Sequence, residues 1–503
     1  MKTNNQSPAS HVYYDDTIDS AVQNAFNAFE GYKKLPVTSR IALMEQIIAE
    51  IQANRGSLLS LAQKETALPG ARLSGEIDRT INQIRMFIAL LDDGSWKNAI
   101  IDTALPDRQP FPQPDLRQIQ QPIGVVAVFG ASNFPFAFSV AGGDTISALA
   151  AGCPVVYKVH DGHPETSMLT ADCIVQAMSK TCIPEGVFAI VYTTSNESSI
   201  QIVNHPLLKA VAFTGSFAGG KALYSAASSR PEPIPVYAEM GSTNPVFILP
   251  GKLKESAEQI ALTMVFSNTL GVGQFCTNPG LMTIIDSPET QKFAEAFKKH
   301  LSEAAGGKML TGRIHRSYSN GISKLKAKPQ LEFIGEGKNS GGDFEGVPHA
   351  FSVSGIDFLA DEDLLEEYFG PTSIRVIASD QIELLEVAKR LPGQLTVTVW
   401  ANQQDCEEFK ELFHILEGKA GRLIINNAPT GVEVTHAMVH GGPYPATTDA
   451  RTTSVGSTSI YRFTRPVCYQ NFPEMLLPDE LKDDNPLGIV RRINGEYTKE
   501  MKL

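Results

Sequence analysis

The first hundred residues carry apolar side chains at helical spacing. In segments 15–30, 38–54 and 72–92 the apolar residues recur every three or four positions, and Arg and Glu occupy the other faces. Each segment is therefore predicted to be an amphipathic helix. The stretch from Pro110 to Pro122 differs, because it is polar, bounded by prolines and alternating in LRQIQQ, which predicts a strand or hairpin arm projecting from the body.

From Pro122 onward, apolar strands alternate with helical segments. The first series of predicted strands is IGVVAVF (123–129), PVVYKV (154–159), GVFAIVY (186–192) and AVAFTG (210–215). The second series follows Glu239 and consists of NPVFIL, LMTII, TVTVWA and GRLIIN, separated by helices near 253–269, 288–304 and 404–417. This alternation predicts an α/β fold with two doubly wound α/β domains, whose parallel sheets are covered on both faces.

One apolar stretch is almost long enough to cross a bilayer. Ile123 to Gly143 contains Asn133, Pro135 and several glycines, so a spanning helix would leave backbone groups without hydrogen bonds. We interpret it as a buried strand, a functional loop and the start of a buried helix. The polar N-terminus, which lacks the apolar core of a signal peptide, and this interpretation together predict no membrane partner.

Length, charge and cysteine usage narrow the class of protein. A chain of 503 residues exceeds what one hydrophobic core usually supports, so at least two domains are expected. The net charge of -12 disfavours nonspecific binding to nucleic acid. The cysteines show neither CxxC nor metal-type spacing, which predicts no metal site and suggests the reducing cytoplasm. They are Cys153, Cys173, Cys182, Cys276, Cys406 and Cys468.

Cys276 stands apart from the other cysteines because of its loop. It lies in GVGQFCTNPG (271–280), flanked by glycine and proline after the apolar helical segment 258–270. A packing cysteine normally lies within a strand or helix, whereas this context is that of a tight turn in which backbone approaches a ligand. Alone, the motif leaves open a packing role and a nucleophile; together with the motifs below it favours a nucleophile.

Two further residues have a structural and a functional interpretation. Glu239 ends a strand in AEMGSTNPVFI, where it either caps the next element or, if its surroundings raise its pKa, serves as a general base. Asn133 follows the first buried strand in GASNFPF, where it either caps the next helix or donates its amide to an oxyanion. FTGSFAGG (213–220) lacks the G-x-G-x-x-G pattern but suits a phosphate near a helix N-terminus.

The motifs together resemble the aldehyde dehydrogenase superfamily over essentially the whole chain. VAVFGASNFPF, VVYKV, FTGS, EMGSTNP, GQFCTNPG and YFGP occur in that order and at about the spacing of the superfamily. HPETS, HGGPYPATTDARTTSVG and RPVCYQN are similar to the branch that contains 2-oxoglutarate semialdehyde (2,5-dioxovalerate) dehydrogenases. Some long-chain fatty aldehyde dehydrogenases also resemble this branch.

This resemblance implies an NAD(P)-dependent oxidation of an aldehyde to a carboxylic acid through a thiohemiacetal and a thioester. Cys276 is then the nucleophile, Glu239 the general base, and Asn133 with the Cys276 backbone N–H the oxyanion hole. The presence of Glu239 implies hydrolysis of the thioester rather than transfer to coenzyme A. In the implied cofactor site, Lys158 binds the adenosine ribose and Asp161 lies near the ribose hydroxyls. Gly215 and Ser216 lie near the pyrophosphate. Glu367 holds the nicotinamide ribose, Phe369 packs beside the nicotinamide, and Gly241 also belongs to the site.

Two departures from the superfamily pattern bear on the cofactor. Asp161 stands where many NAD-users have Glu and many NADP-users a small neutral residue; its carboxylate suits ribose hydroxyls and repels a 2′-phosphate. His160 and His163 are available to offset that repulsion, so the cofactor is NAD or NADP, with NAD favoured. Tyr192 replaces a glycine that many relatives have beside the adenine.

The substrate is open between two aldehyde classes. The resemblance favours 2-oxoglutarate semialdehyde, and a fatty or other apolar aldehyde is the alternative. Two other readings, an inactive structural relative and a thiol hydrolase without cofactor, are disfavoured because the implied catalytic and cofactor residues are all present. Phe134, Phe136, Phe138 and Phe275 either line an aldehyde tunnel or belong to the core, and Arg451, Arg313 and Arg316 are candidate anchors for a distal carboxylate.

The same resemblance implies a division into domains. Residues 1–109 and 123–240 form an NAD(P)-binding domain, and residues 241–440 form a catalytic domain with the cysteine nucleophile. Residues 110–122 and 441–503 form a small β oligomerisation arm. A homodimer or homotetramer is expected, with the tail adding a strand to a neighbour's sheet.

Overall fold

A computed structural model of the chain describes residues 11–500. The polar N-terminal stretch interpreted above falls largely in residues 1–10, outside the described residues. The N-terminal elements are β1 (Val12–Tyr13), α1 (Ile18–Lys33), α2 (Val37–Ala53), α3 (Arg55–Thr66), α4 (Gly70–Asp93), β2 (Ile100–Asp102) and β3 (Leu116–Pro122). The sequence predicted α1, α2, α4 and β3. It did not predict α3, whose apolar residues are too few for a clear stripe.

The next elements alternate strictly between strand and helix. They are β4 (Val125–Phe129), α5 (Gly143–Ala151), β5 (Val155–Lys158), α6 (Pro164–Lys180), β6 (Phe188–Val191), α7 (Asn196–Asn204), β7 (Leu208–Thr214), α8 (Phe217–Ser228) and β8 (Val236–Glu239). The strands form a parallel sheet of order β1-β6-β5-β4-β7-β8, the N-terminal sheet. Its carboxyl edge carries the ends of β4, β5, β7 and β8, where ligands of such sheets bind.

A second sheet follows in the chain. The strands and helices of this part of the chain are β9 (Val246–Ile248), α9 (Pro250–Thr269), β10 (Leu281–Ile285), α10 (Pro288–Glu303), β11 (Gly307–Lys308), α11 (Gly312–Lys326), β12 (Glu332–Glu336), β13 (Glu345–Gly346), β14 (His349–Ser354), α12 (Gly355–Ala360), β15 (Thr372–Ala378), α13 (Gln381–Arg390), β16 (Gln394–Trp400), α14 (Gln403–Glu408), α15 (Lys410–Glu417) and β17 (Ala420–Ile425). The C-terminal sheet has the order β12-β14-β15-β10-β9-β16-β17 and is parallel except for β12. The predicted α/β fold with parallel sheets is thus confirmed.

The last strands are β18 (Thr464–Gln470), β19 (Arg491–Ile493) and β20 (Glu496–Thr498). They join β2 and β3 in a small sheet of order β18-β3-β2-β19-β20, in which β18 pairs antiparallel with β3. This sheet combines chain segments close to those expected for the arm, and it also includes β2. A role of this sheet in oligomerisation stays a prediction.

The apolar stretch from residue 123 to residue 143 is divided as the sequence indicated. It consists of strand β4, an irregular loop and the first residue of helix α5, all largely buried in the N-terminal part. Within residues 11–500, no helix combines the length and the apolar character needed to cross a bilayer.

A buried ion pair joins the C-terminal segment to helix α5. Arg462 Nη1 lies 3.0 Å from Asp144 Oδ1 in the first turn of α5, and the two side chains are 1% and 9% exposed. Arg462 also donates through Nε to the Thr452 hydroxyl at 3.1 Å. Burial raises the pKa of Asp144, and the charge of Arg462 works in the opposite direction by stabilising its carboxylate.

Removing one partner of this pair is expected to destabilise the fold. Arg462→Met leaves a buried carboxylate without its cation, so the free energy of unfolding should fall by about 3–5 kcal/mol in denaturant titrations at neutral pH. The loss should shrink as the pH falls, because protonation of Asp144 removes the unpaired charge. The double variant Arg462→Met/Asp144→Leu should recover much of the loss, and no recovery would contradict the ion-pair explanation.

Candidate active site

The loop between β4 and α5 holds Asn133 against residues 271–280, which form the loop of Cys276 (the cysteine loop). Asn133 is buried, and its Nδ2 donates to the carbonyl of Gln274 at 3.0 Å. Helix α4 supports the loop from the other side, because Arg72 Nη2 donates to the Asn133 carbonyl at 2.6 Å. Glu76 of the same helix accepts the backbone N–H groups of residues 136 and 137 at 2.8 and 3.0 Å. Asn133 is therefore fixed by tertiary contacts and does not cap α5.

The cysteine loop begins with three consecutive residues in the left-handed conformation. Gly271, Val272 and Gly273 have φ of 56°, 59° and 64°. A Cβ on Gly273 would lie 2.3 Å from the backbone carbon of Gly370, so glycine is required at this close approach. Val272 is a β-branched residue in a conformation that such residues rarely adopt, which marks the loop as strained.

Buried amides hold the loop beyond the turn. Asn244, which has a φ of 46°, donates through Nδ2 to the carbonyls of Cys276 at 2.8 Å and Asn278 at 3.0 Å. Asn278 donates in turn to the Gly370 carbonyl at 3.1 Å. These bonds satisfy backbone carbonyls that the irregular loop would otherwise leave without partners. Cys276 is half-buried at the centre of this framework.

Three chemically active side chains meet at Cys276. Glu239, the last residue of β8, is 1% exposed and accepts a 2.5 Å hydrogen bond from the Ser454 hydroxyl. His440 Nε2 lies 2.9 Å from Glu239 Oε1 and 3.4 Å from Cys276 Sγ. One ligand atom from each of Glu239, Cys276 and His440 lies within 4.8 Å of the other two. A thiol, an imidazole and a carboxylate at these distances can pass a proton from one to another.

The carboxyl and the thiol of this cluster have opposite pKa shifts. Burial opposes ionisation of Glu239, but His440 and the Ser454 hydroxyl outweigh it and hold its pKa below the usual value. A raised pKa, the condition on which the sequence suggested a general base, is therefore not found, because the two partners that lower the pKa were not visible in the sequence. Burial raises the pKa of Cys276 well above 9, and the negative charge of Glu239 acts in the same direction.

An open cavity of about 550 Å³ leads to Cys276. Phe134, Phe138 and Phe275 line it, whereas Phe136 belongs to the core. Two arginines and a glutamate also line it, namely Arg79, Arg422 and Glu433. Among the described residues, none of the arginines proposed from the sequence lines this cavity: Arg451 is exposed beside Asp449, Arg313 lies at another cleft, and Arg316 is exposed.

A second cleft, of about 470 Å³, lies at the carboxyl edge of the N-terminal sheet. Lys158, Asp161 and Ser216 line it, and Arg313 Nη2 lies 3.8 Å from Asp161 Oδ1 at its rim. Ser216 caps α8 by accepting the Gly219 N–H at 3.3 Å. Gly215 precedes it and donates its N–H to the Glu239 carbonyl at 3.0 Å, so it joins the ends of two strands without lining the cleft.

The remaining predicted residues lie in or beside a small cavity next to the loop of Cys276. Glu367 and Phe369 line a small cavity beside Phe275. A Cβ on Gly241 would lie 2.4 Å from Glu367 Oε2, so glycine at 241 leaves room for that carboxyl group. The side chain of Glu367 lines the cavity. Burial by the surrounding protein raises its pKa to about 8, and the negative charge of Glu239 contributes to this rise. The structure thus brings the predicted catalytic residues together. Of the predicted cofactor residues, Gly215 and Gly241 line neither adjoining cavity, and the others line one of the two.

His440, Ser454 and Arg79 were missed by the sequence analysis. His440 lies in HGGPYP and Ser454 in a Thr- and Ser-rich stretch, and both fell in or next to the segment assigned to the arm. A β-bridge between Glu239 and Thr447 instead brings this stretch to the end of β8. The conspicuous HGG motif was the one available signal. Nothing local distinguished Arg79 from the other charged residues of α4.

Comparison with known proteins identifies what the chain resembles. The family model described as the aldehyde dehydrogenase family matches residues 6–348. Alpha-ketoglutaric semialdehyde dehydrogenase 2 of Azospirillum brasilense is 46% identical over 97% of this chain and 93% of its own length. Alpha-ketoglutaric semialdehyde dehydrogenase of Acinetobacter baylyi is 44% identical over 96% of this chain and 92% of its own.

Solved structures of low sequence identity share the fold. Aldehyde dehydrogenase 21 of Physcomitrella patens, solved with its reaction product succinate, has a TM-score of 0.76 at 18% identity, covering 91% of both chains. Proline utilization A of Bradyrhizobium japonicum also has a TM-score of 0.76, at 20% identity, covering 91% of this chain and 45% of that one.

The raised pKa of Cys276 predicts slow alkylation at neutral pH. The rate constant for iodoacetamide at Cys276, followed by peptide mass spectrometry, should rise about tenfold per pH unit up to at least pH 9. Glu239→Gln should raise the rate at each pH, because it removes a negative charge that disfavours the thiolate. The exposed Cys468 in the same sample is the internal control. Faster modification of Cys276 than of Cys468 at pH 7 would contradict the prediction.

Proposed function

This chain belongs to the aldehyde dehydrogenase family, and we propose that its substrate is 2-oxoglutarate semialdehyde, oxidised to 2-oxoglutarate with NAD as the preferred cofactor. Membership in the family makes the protein an NAD(P)-dependent oxidoreductase that acts on a small aldehyde. The substrate is that of the two relatives, since alpha-ketoglutaric semialdehyde is another name for the same compound. The observation that carries the proposal is the meeting of Cys276, Glu239 and His440 at the end of a cavity that also holds two arginines.

In the proposed reaction, Cys276 adds to the aldehyde carbon as a thiolate. His440, 3.4 Å from its Sγ, takes the thiol proton and shares it with Glu239. Because burial keeps the resting thiol protonated, this proton transfer accompanies the attack on the aldehyde carbon. The positive charge of Arg79 also favours the thiolate. Asn133 Nδ2 and the Cys276 backbone N–H stabilise the oxyanion that forms, once Nδ2 exchanges the Gln274 carbonyl for the substrate oxygen.

The second stage is hydrolysis of the thioester. Glu239 is the general base, because its depressed pKa keeps it ionised at neutral pH. Its contact with His440 Nε2 is short but not aligned as a hydrogen bond, so Oε1 keeps capacity to accept a proton from water. Ser454 fixes the other carboxylate oxygen and so orients the base.

The adjoining clefts fit a dinucleotide. Lys158 and Ser216 supply a cation and a capped helix N-terminus on the side of the N-terminal sheet, and Glu367 and Phe369 supply a carboxyl and a ring near Cys276. NAD(P) held there by these residues would supply the hydride acceptor for the oxidation. Gly241 leaves Glu367 the room it needs, and Gly215 holds β7 against β8 beneath the site. Asp161 supports the preference for NAD, because its carboxylate lines the cleft and repels a 2′-phosphate.

A fatty or other apolar aldehyde is the second candidate. The rings of Phe134, Phe138 and Phe275 favour it, since they offer an apolar wall beside Cys276.

We further propose a homodimer or homotetramer assembled through the small sheet, with β18 at its edge available to pair with a second copy. The free thiols support a cytoplasmic location.

The rise in absorbance at 340 nm, which follows the formation of NADH, tests the reaction. Purified protein with 2-oxoglutarate semialdehyde and NAD should form NADH, and Cys276→Ala should abolish that signal, because no other thiol lies against His440 in the described chain. Cys468→Ala, on an exposed strand, is the matched control and should keep the wild-type rate. Oxidation of decanal but not of the semialdehyde would contradict the proposed substrate and favour a fatty or other apolar aldehyde. Absence of NADH formation with every aldehyde tested would contradict the proposed reaction and favour the interpretation as an inactive binding relative.

The choice of cofactor has its own test. Asp161→Ser should raise kcat/KM for NADP relative to NAD by roughly tenfold, because it removes a negative charge next to the 2′ position. Arg313→Ala should shift the ratio the other way, since it removes the cation 3.8 Å from Asp161. An unchanged ratio in Asp161→Ser would refute the assigned role of this carboxylate.

A further inference from the structure

Arg79 has an unusual environment for a charged side chain. It lies on the face of α4 that packs against the loop of Asn133, and its guanidinium rests 5.1 Å from the centre of the Phe138 ring. Its Nε makes a long contact of 3.4 Å with the Val432 carbonyl. Both terminal nitrogens, Nη1 and Nη2, are buried and have no hydrogen-bond partner among residues 11–500. A guanidinium carries five N–H donors, so most of its capacity is unused.

The charged groups around Arg79 do not fill this capacity. Glu76, one turn earlier on α4, directs one oxygen to two backbone N–H groups. Glu239 is engaged by Ser454 and His440, and Glu433 lies exposed on the cavity wall. These carboxylates favour the charged form of Arg79 through their fields, although burial lowers its pKa. None of them makes an ion pair with the guanidinium in the described structure.

Arg422 adds a second positive charge to the same cavity. It lies within β17, and its Nη1 and Nη2 donate to the carbonyls of Gly431 and Pro429 at 2.9 and 2.8 Å. Its Nε is buried without a partner in the part of the chain that the structure describes. The cavity wall near Cys276 therefore carries two guanidinium groups that neighbouring backbone holds in place.

We propose that Arg79, supported by the charge of Arg422, binds the distal carboxylate of a short aldehyde acid whose aldehyde carbon lies at Cys276. The inference rests on the proposed function and identifies the residue that selects the substrate. A carboxylate accepts two parallel N–H bonds from the free edge of a guanidinium, a geometry that satisfies both terminal nitrogens at once. The rings of Phe134, Phe138 and Phe275 pack the few carbons between the two ends of the substrate.

The same arginine discriminates against the second candidate substrate. The alkyl tail of a fatty aldehyde would cover a buried cation without offering it a hydrogen-bond acceptor, which is costly. A site that is built to bind a polar group rejects an analogue that lacks the group more strongly than an apolar pocket rejects an extra methylene. The aromatic wall alone favours apolar aldehydes, and Arg79 reverses that preference.

The test compares two aldehydes of equal length in matched variants. Arg79→Met keeps an unbranched apolar stem and removes the guanidinium charge; Arg85→Met, on the exposed face of the same helix, is the control. The substrates are 2-oxoglutarate semialdehyde and pentanal. Arg79→Met should lower kcat/KM for the semialdehyde, mainly through KM, by roughly 10- to 100-fold more than it lowers kcat/KM for pentanal, because both substrates lose the charge that favours the thiolate but only the semialdehyde loses a carboxylate contact. Arg85→Met should match the wild type with both.

A binding measurement separates recognition from catalysis. In the Cys276→Ala background, 2-oxoglutarate should bind in calorimetry, and Arg79→Met should weaken that binding at least tenfold. Equal losses with semialdehyde and pentanal would overturn the inference, because they would mean that Arg79 supports the thiol or the loop of Asn133 instead. Unchanged selectivity in Arg79→Met, from a wild type that prefers the semialdehyde, would overturn it and leave the proposed function intact. A wild type without that preference would refute the proposed substrate itself.

Discussion

The structure of this active site depends on keeping one buried carboxylate charged. Glu239 ends a strand of the N-terminal sheet at 1% exposure, where an unpartnered charge would be costly. Ser454 and His440 supply its partners, and both come from a segment more than two hundred residues later in the chain. The C-terminal segment must therefore be folded against β8 before the site is electrostatically competent. The ion pair of Arg462 with Asp144 holds that segment in place.

The same constraint connects the two sheets. Cys276 belongs to the loop between α9 and β10, on the side of the C-terminal sheet, whereas Glu239 and Asn133 belong to the N-terminal sheet. Their side chains meet because His440 contacts both Glu239 and Cys276, and because Asn133 donates to the carbonyl of Gln274. Neither half of the molecule contains a complete set of reactive groups.

Much of the fold and part of the site could be predicted from the sequence, for a physical reason. The strands β4, β5 and β6 are covered on both faces, so they appear as continuous apolar runs bounded by turn residues. Cys276 and Asn133 lie in loops whose glycine and proline content marks close backbone approaches. His440, Ser454 and Arg79 carry no such local mark, because their roles arise from contacts between distant segments. The lowered pKa of Glu239 escaped prediction for the same reason, since its partners were unknown.

The close approach of Gly273 to Gly370 has a consequence for how this sequence can vary. The atoms that a side chain at 273 would meet belong to the backbone of residues 370 and 371, so no change of side chain at those positions can make room for it. Most harmful substitutions in a protein interior can be rescued by a second, compensating substitution nearby. Position 273 lacks that route, and a screen for suppressors of Gly273→Ala would find reversion or a repositioned loop rather than a paired replacement. We therefore expect natural and laboratory evolution alike to keep glycine at position 273, whatever aldehyde the rest of the pocket is selected to accept.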